Sequence, residues 1–222
     1  MQACSGKNSL PAQDALYPKA ERNHNPRPIT LDGERSLTLS MRAQTYVSLL
    51  RGINVSGHKI IKMEQLRKSF EALGLGDVQT YVQSGNVVFK ARKQSSEILS
   101  NKIREKIARD FGFSVPVIIR SSEEVRRAIE NNPFLKQRGI DSSRLHVTFL
   151  SKAPEKDSLK ALEALTARPD QFRYSGREVY LYCPDGYGRT KLSNNALEKV
   201  LGVTATTRNW NTVNKLYEMS LK

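Results

Sequence analysis

The chain has 222 residues, 38% of them hydrophobic, with 36 Lys and Arg against 22 Asp and Glu and a formal net charge of +14. That length can bury one large core or two small ones, and no apolar run approaches the roughly 20 residues that a membrane-spanning helix needs. A membrane-spanning protein is excluded on that ground, and the charge favours anionic partners such as nucleic acid, phosphorylated metabolites or acidic surfaces.

Residues 1–40 carry five basic and four acidic side chains, so the basic surplus belongs to residues 41–222. Pro11, Pro18, Pro26 and Pro28 and the lack of sustained periodicity mark 1–40 as a disordered N-terminal extension. It has no unbroken apolar core of a secretory signal, and Met41 offers an alternative start just ahead of the first strand-like pattern. Cys4 and Cys183 stand far apart, and His24, His58 and His146 are isolated, which fits neither a disulfide framework nor a metal-ligand spacing. No metal and no cofactor are expected, and a reducing, cytoplasmic setting is.

Thr45–Leu50 reads as a strand that ends in the loop Arg51–Gly57. Met63, Leu66, Phe70 and Leu73 then recur at helical spacing up to Gly74. Val78–Gln83 and Val87–Ala91 flank Ser84-Gly85-Asn86 as a hairpin, Ile103, Ile107 and Phe111 mark a second helix, and Val115–Arg120 a further strand. This β-α-β-β-α-β order over 41–120 is the ferredoxin-like arrangement. Ser121-Ser122-Glu123-Glu124 opens a linking helix that fades near Asn131-Asn132-Pro133, within a connecting stretch 121–143.

The same order returns over 144–222. Strand Leu145–Leu150 leads to helix Lys156–Leu165, strands near Gln171–Tyr174 and Glu178–Cys183, helix Asn194–Leu201 and an extended piece Val203–Thr206. A last helix carries Trp210, Val213 and Tyr217 on one stripe, and the core is the expected place for Trp210. The expected fold class is therefore α+β: two tandem ferredoxin-like subdomains with a linking helix and a C-terminal helix.

The chemistry-bearing residues concentrate in three strings. In the first loop Gly52, Asn54 and Gly57 tolerate left-handed backbone and leave N–H groups free to converge on an anion, while Arg51 supplies a bidentate clamp. Around Gly188, Arg189 and Lys191 sit on a strand-to-helix turn; the string lacks the spacing of a Walker loop, and no dinucleotide fingerprint occurs. In Thr207-Arg208-Asn209-Trp210, Thr207 or Asn209 can cap the final helix and Arg208 can project toward a phosphate. Ser84-Gly85-Asn86 reads mainly as a turn, and Cys183, on a strand face with Val179 and Leu181, as core rather than as a nucleophile beside His146. His58 is read as exposed without a role. No catalytic constellation is recognisable.

Together the strings Leu49-Leu50-Arg51-Gly52-Ile53-Asn54-Val55, Gln83-Ser84-Gly85-Asn86-Val87-Val88-Phe89, Arg189-Thr190-Lys191-Leu192 and Ala205–Val213 resemble the mainly bacterial domain-of-unknown-function family numbered 1697. The resemblance runs from about Thr45 to Tyr217. It implies two ferredoxin-like subdomains and no activity, substrate or catalytic residue. Ser56 departs from the pattern, since related sequences often place Gly there.

The leading expectation is a protein that binds a phosphate-bearing small molecule or nucleotide between its two subdomains, through Arg51, Gly52, Asn54, Gly57, Arg189, Lys191, Arg208 and Asn209. The alternatives are an RNA- or single-strand-binding module using Tyr180 and Tyr182 as a stacking face, and a protein-interaction scaffold marked by an exposed apolar patch.

Overall fold

The computed structural model describes residues 43–165 and 169–222; the extension expected over 1–40, with Cys4, lies outside the described residues. The first sheet combines β1 (Ala43–Leu50), β2 (Gly76–Tyr81), β3 (Asn86–Arg92) and β4 (Val117–Ser121), with α1 (Met63–Glu71) and α2 (Ser96–Phe111) between them. After α3 (Ser122–Glu130) the second sheet combines β5 (Leu145–Leu150), β6 (Gln171–Ser175), β7 (Glu178–Tyr182) and β8 (Ala205–Asn209), with α4 (Lys156–Ala164) and α5 (Asn194–Leu201), and α6 (Trp210–Ser220) ends the chain. Among the described residues the protein is thus α+β, with two four-stranded antiparallel sheets and six α-helices. The strand orders, β2-β3-β1-β4 and β6-β7-β5-β8, are the same order repeated.

The central strands are buried on both faces, which is why Tyr46-Val47-Ser48-Leu49-Leu50 and Val147-Thr148-Phe149-Leu150 read as nearly continuous runs rather than as alternation. Tyr46, Leu50, Val87 and Phe89 face Leu66 and Phe70 of α1 and Leu99, Ile103 and Ile107 of α2. Leu150, Val179 and Leu181 face Leu162 of α4 and Leu197 and Leu201 of α5. The opposite faces share a third core, in which Val47, Leu49, Val88 and Ile118 meet Val147, Phe149 and Tyr180, closed by Val125 of α3 and Trp210, Val213 and Leu216 of α6. Burial of this order contributes roughly 25 cal/mol per Å² of apolar surface, so the shared core joins the two sheets energetically.

The helices that close it start alike. Ser121 caps α3 in a capping box with Glu124, and the Asn209 side chain accepts the Thr212 N–H at the start of α6. The extended piece expected at Val203–Thr206 is displaced: β8 runs Ala205–Asn209, because its pairing with β5 aligns Arg208 with Val147 and carries the strand to the cap. The first hairpin differs likewise, its turn occupying 82–85 instead of 84–86, since Tyr81 pairs with Asn86.

Each sheet sends one arginine into the shared core, from the residue just before a helix cap. Arg120 of β4 lies opposite Val47, and Arg208 of β8 opposite Val147. Arg120, 1% exposed, donates through Nη2 to the carbonyls of Leu150 (2.7 Å) and Arg177 (3.2 Å), through Nη1 to Ile119 (3.0 Å), and through Nε to Glu178 at 2.9 Å. Arg208 reaches the reciprocal places, the Leu50 carbonyl (2.8 Å) at the end of β1 and Ser84 (2.9 Å) in the β2–β3 turn. Arg208→Ala and Arg120→Ala are each expected to lower stability by about 3–5 kcal/mol in urea denaturation, because several buried acceptors lose their donor at once. Arg208→Lys is expected to recover only part, an ammonium having three donors where the guanidinium has five.

Candidate functional site

The strings around Arg51, Ser84-Gly85-Asn86 and Arg208 meet at the seam between the sheets, and the structure divides the residues of all the strings into those that hold the fold and those that remain available. Arg208 belongs to the first group. It is 8% exposed, and all five of its N–H donors are engaged: Nε with Asn86 Oδ1, Nη1 with Thr206 Oγ1 (2.8 Å) and the Thr207 carbonyl (2.9 Å), Nη2 with Leu50 and Ser84. Among the described residues no carboxylate pairs with it. Burial pushes its guanidinium down to about 10, which leaves it a cation at neutral pH. The projection toward a phosphate expected from the sequence is therefore replaced by an internal clamp, and Asn209 is the helix cap.

Ser84-Gly85-Asn86 is the other half of that clamp, and more than a turn. Asn86 is fully buried and donates to the Tyr81 carbonyl and Ser84 Oγ while accepting from Arg208. Gly85, at φ +74°, packs so closely that a Cβ would come within 2.7 Å of Leu50 Cβ, so glycine is required by space as well as by backbone.

The first loop is organised by Asn54, whose side chain donates to the carbonyls of Ile61 (3.0 Å) and Gln83 (2.9 Å) and accepts the Ile61 N–H (2.8 Å). Beyond it Val55-Ser56-Gly57-His58 closes a two-residue turn with φ +51° at Ser56 and +77° at Gly57, the type I′ pattern, with His58 N–H on the Val55 carbonyl. His58 is exposed, as expected. Asn54 therefore ties loop to turn, while Gly52 (φ +70°) and Gly57 satisfy backbone geometry.

Arg51 leaves the end of β1 and crosses the seam to α5, donating to both oxygens of Glu198 (3.2 and 2.9 Å) and to Asn195 Oδ1. Glu198 also accepts the Ala205 N–H, so it fixes α5 to β8. Beside them the Thr207 hydroxyl accepts from Tyr187 (3.0 Å) and donates to Asn194 (2.7 Å); with its single proton placed there, Thr148 must donate to it at 2.7 Å. His146 stacks on Tyr187, ring centroids 4.9 Å apart, with Nδ1 on the Arg144 carbonyl. Burial holds the His146 imidazole below its ordinary value and raises the Tyr187 phenol, which its hydrogen bond to Thr207 partly offsets.

Arg189 and Lys191 are the cations this network leaves over. Both are exposed, and neither side chain has a hydrogen-bond or ion-pair partner among the described residues. Their turn is nonetheless fixed, because Thr190 donates to Asp170 (2.6 Å), accepts the Leu192 N–H (3.0 Å), and lies next to the one-turn helix Tyr187–Arg189. Cys183 is buried and its thiol is pushed up to about 11, consistent with core packing. Tyr180 is 1% exposed and Tyr182 packs on Phe134, so a base has no access to stack on Tyr180. Among the described residues no cluster of three or more His, Cys, Asp or Glu could hold a metal ion, and no helix is long and apolar enough to cross a membrane.

The family model described as "protein of unknown function (DUF1697)" matches residues 43–180, more than half of the chain. The chain belongs to the DUF1697 family. The match takes in the Arg51 loop and the Ser84-Gly85-Asn86 turn and ends before Arg189, Lys191 and Arg208. Among solved structures, the conserved bacterial protein SP0830 from Streptococcus pneumoniae is similar at a TM-score of 0.64 and 24% identity, over 80% of this chain and 99% of that one. At that identity the likeness shows the fold alone. No curated protein matches the sequence.

For this DUF1697 protein, sequence reasoning passed over Arg120, Glu198, Asn195 and Tyr187. Arg120 had a signal: Arg120-Ser121 and Arg208-Asn209 are both an arginine directly before a cap residue at the end of a strand. Glu198 and Asn195 had none, since only folding brings α5 against Arg51.

Two expectations follow. Ser56 occupies a left-handed position where a side chain costs about 1 kcal/mol, so Ser56→Gly is expected to raise the urea midpoint by an amount equivalent to about 0.5–1 kcal/mol. His146 has a folded pKa below its unfolded value near 6.5, so the unfolded state takes up the proton first and stability falls as pH drops from 7 toward 5. Urea titrations at both pH values are expected to show a shallower loss for His146→Gln than for the parent.

Proposed function

We propose that the protein binds a phosphate-bearing small molecule or nucleotide at the seam beside Arg51, with Arg189 and Lys191 as the residues that meet the anion. The two subdomains flanking this seam are read as tandem ferredoxin-like units, and the protein as cytoplasmic. The observation that carries the reading is the pair Arg189 and Lys191: two exposed cations on a pinned turn, without an acidic partner among the described residues. Arg51, its side chain 21% exposed, borders the site but is held by Glu198, so a ligand phosphate would compete with that carboxylate. The roles of Gly52, Asn54 and Gly57 are to shape the adjoining loop, and Arg208 and Asn209 support the site from behind.

A thermal-shift series with ATP, glucose 6-phosphate and a short mixed RNA, at low and high salt, tests this. A saturable shift with a phosphate compound is expected, reduced at least tenfold in apparent affinity in Arg189→Ala/Lys191→Ala and to a smaller degree in Arg51→Ala. Stabilisation by RNA alone, falling steeply with salt, would support the nucleic-acid reading in its place. No shift with any anion would remove both.

A further inference from the structure

A second candidate site lies on the far edge of the first sheet. There a cavity of about 480 Å³ opens where β1 begins and β3 ends, between the loop after α1 and the side of α2, within the roughly 300–1,000 Å³ typical of small-molecule sites. Its floor is apolar: Leu73 and Leu75 from the loop, Ala91 from β3, Leu99 and Ile103 from α2. Its rim is cationic, with Lys90, Arg92 and Lys102 and a single acid, Asp77.

The backbone explains why the edge is open. β2 pairs with β3 at Gly76↔Lys90 and again at Gln79↔Val88, which leaves two residues, Asp77 and Val78, opposite the single Phe89, a bulge. Asp77 takes φ +47° there and binds Lys90 at 2.7 Å, so the one acid of the rim is neutralised by the one paired cation. Arg92 and Lys102 remain, exposed and with side chains that have no hydrogen-bond or ion-pair partners among the described residues.

We propose that this cavity binds a small amphipathic anion, an apolar chain or ring ending in a carboxylate or phosphate. The apolar body lies on Leu73, Leu75, Leu99 and Ile103, and the anionic end meets Arg92 and Lys102. A neutral ligand would leave both cations without a counter-charge, and a compact polar anion would leave the floor wet.

Decanoate, below its micellar range, is the probe, with decanol and butyrate as comparisons, titrated calorimetrically into the full chain. Saturable decanoate binding is expected, at least tenfold tighter than either comparison. Arg92→Glu/Lys102→Glu, both surface changes, is expected to weaken it at least tenfold, and Leu73→Trp, which fills the floor, to abolish it. Arg189→Ala/Lys191→Ala is expected to leave it unchanged, which separates this site from the one at the seam. Absence of saturable binding, equal affinity for decanol, or equal affinity in the charge-reversed variant overturns the proposal.

Discussion

The relation between the two sheets depends on a buried guanidinium that, among the described residues, is held by neutral oxygens alone. Removing a cation from water is costly, and Arg208 offsets that cost with five hydrogen bonds to neutral oxygens rather than with an ion pair. Two acceptors are backbone carbonyls of the other sheet, at points where a strand ends and a hairpin turns. The planar fork can satisfy both only at one separation and orientation of the sheets, so the contact supplies geometric specificity that the apolar core, being non-directional, does not. Arg120 makes the reciprocal reach, with Glu178 standing where Asn86 stands for Arg208.

This near-symmetry governs what the loops can do. Leu50 N–H bonds Gly85 and Leu150 N–H bonds Arg177, so each central strand terminates on a hairpin of its own sheet while its carbonyl receives the arginine of the other. Residues that looked suited to an external anion are drawn into that arrangement: Asn54 ties the first loop to the β2–β3 turn, and Arg51 holds α5 through Glu198. Cations left outside it, Arg189 and Lys191 on the turn ahead of α5 and Arg92 and Lys102 at the far cavity, are the ones to which a binding role is given. The division rests on satisfaction: a donor already hydrogen-bonded must lose a partner to gain a ligand.

Much of the element order was legible because hydrophobic spacing and punctuation agreed. Strand Leu145–Leu150 and helix Asn194–Leu201 have the bounds read from the sequence, and Ser121 and Glu124 form the capping box that their spacing suggested. Boundaries moved where pairing overrode local pattern, as in β8, which the sequence ended at Thr206 but which pairing with β5 carries on through Thr207 and Arg208 to the cap residue Asn209. Trp210 was readable as core from its stripe with Val213 and Tyr217.

The candidate site was legible as a set of strings and not as a set of roles. Residue type and local spacing determined which elements form, which glycines a turn requires and which family the chain resembles, since these depend on neighbours within a few positions. Whether an arginine faces solvent, a carboxylate or five buried oxygens depends on residues far away in the chain, such as Asn86 for Arg208 and Glu198 for Arg51. The tertiary structure alone decided that, because burial and hydrogen-bond satisfaction are properties of packed surfaces and have no counterpart in local sequence.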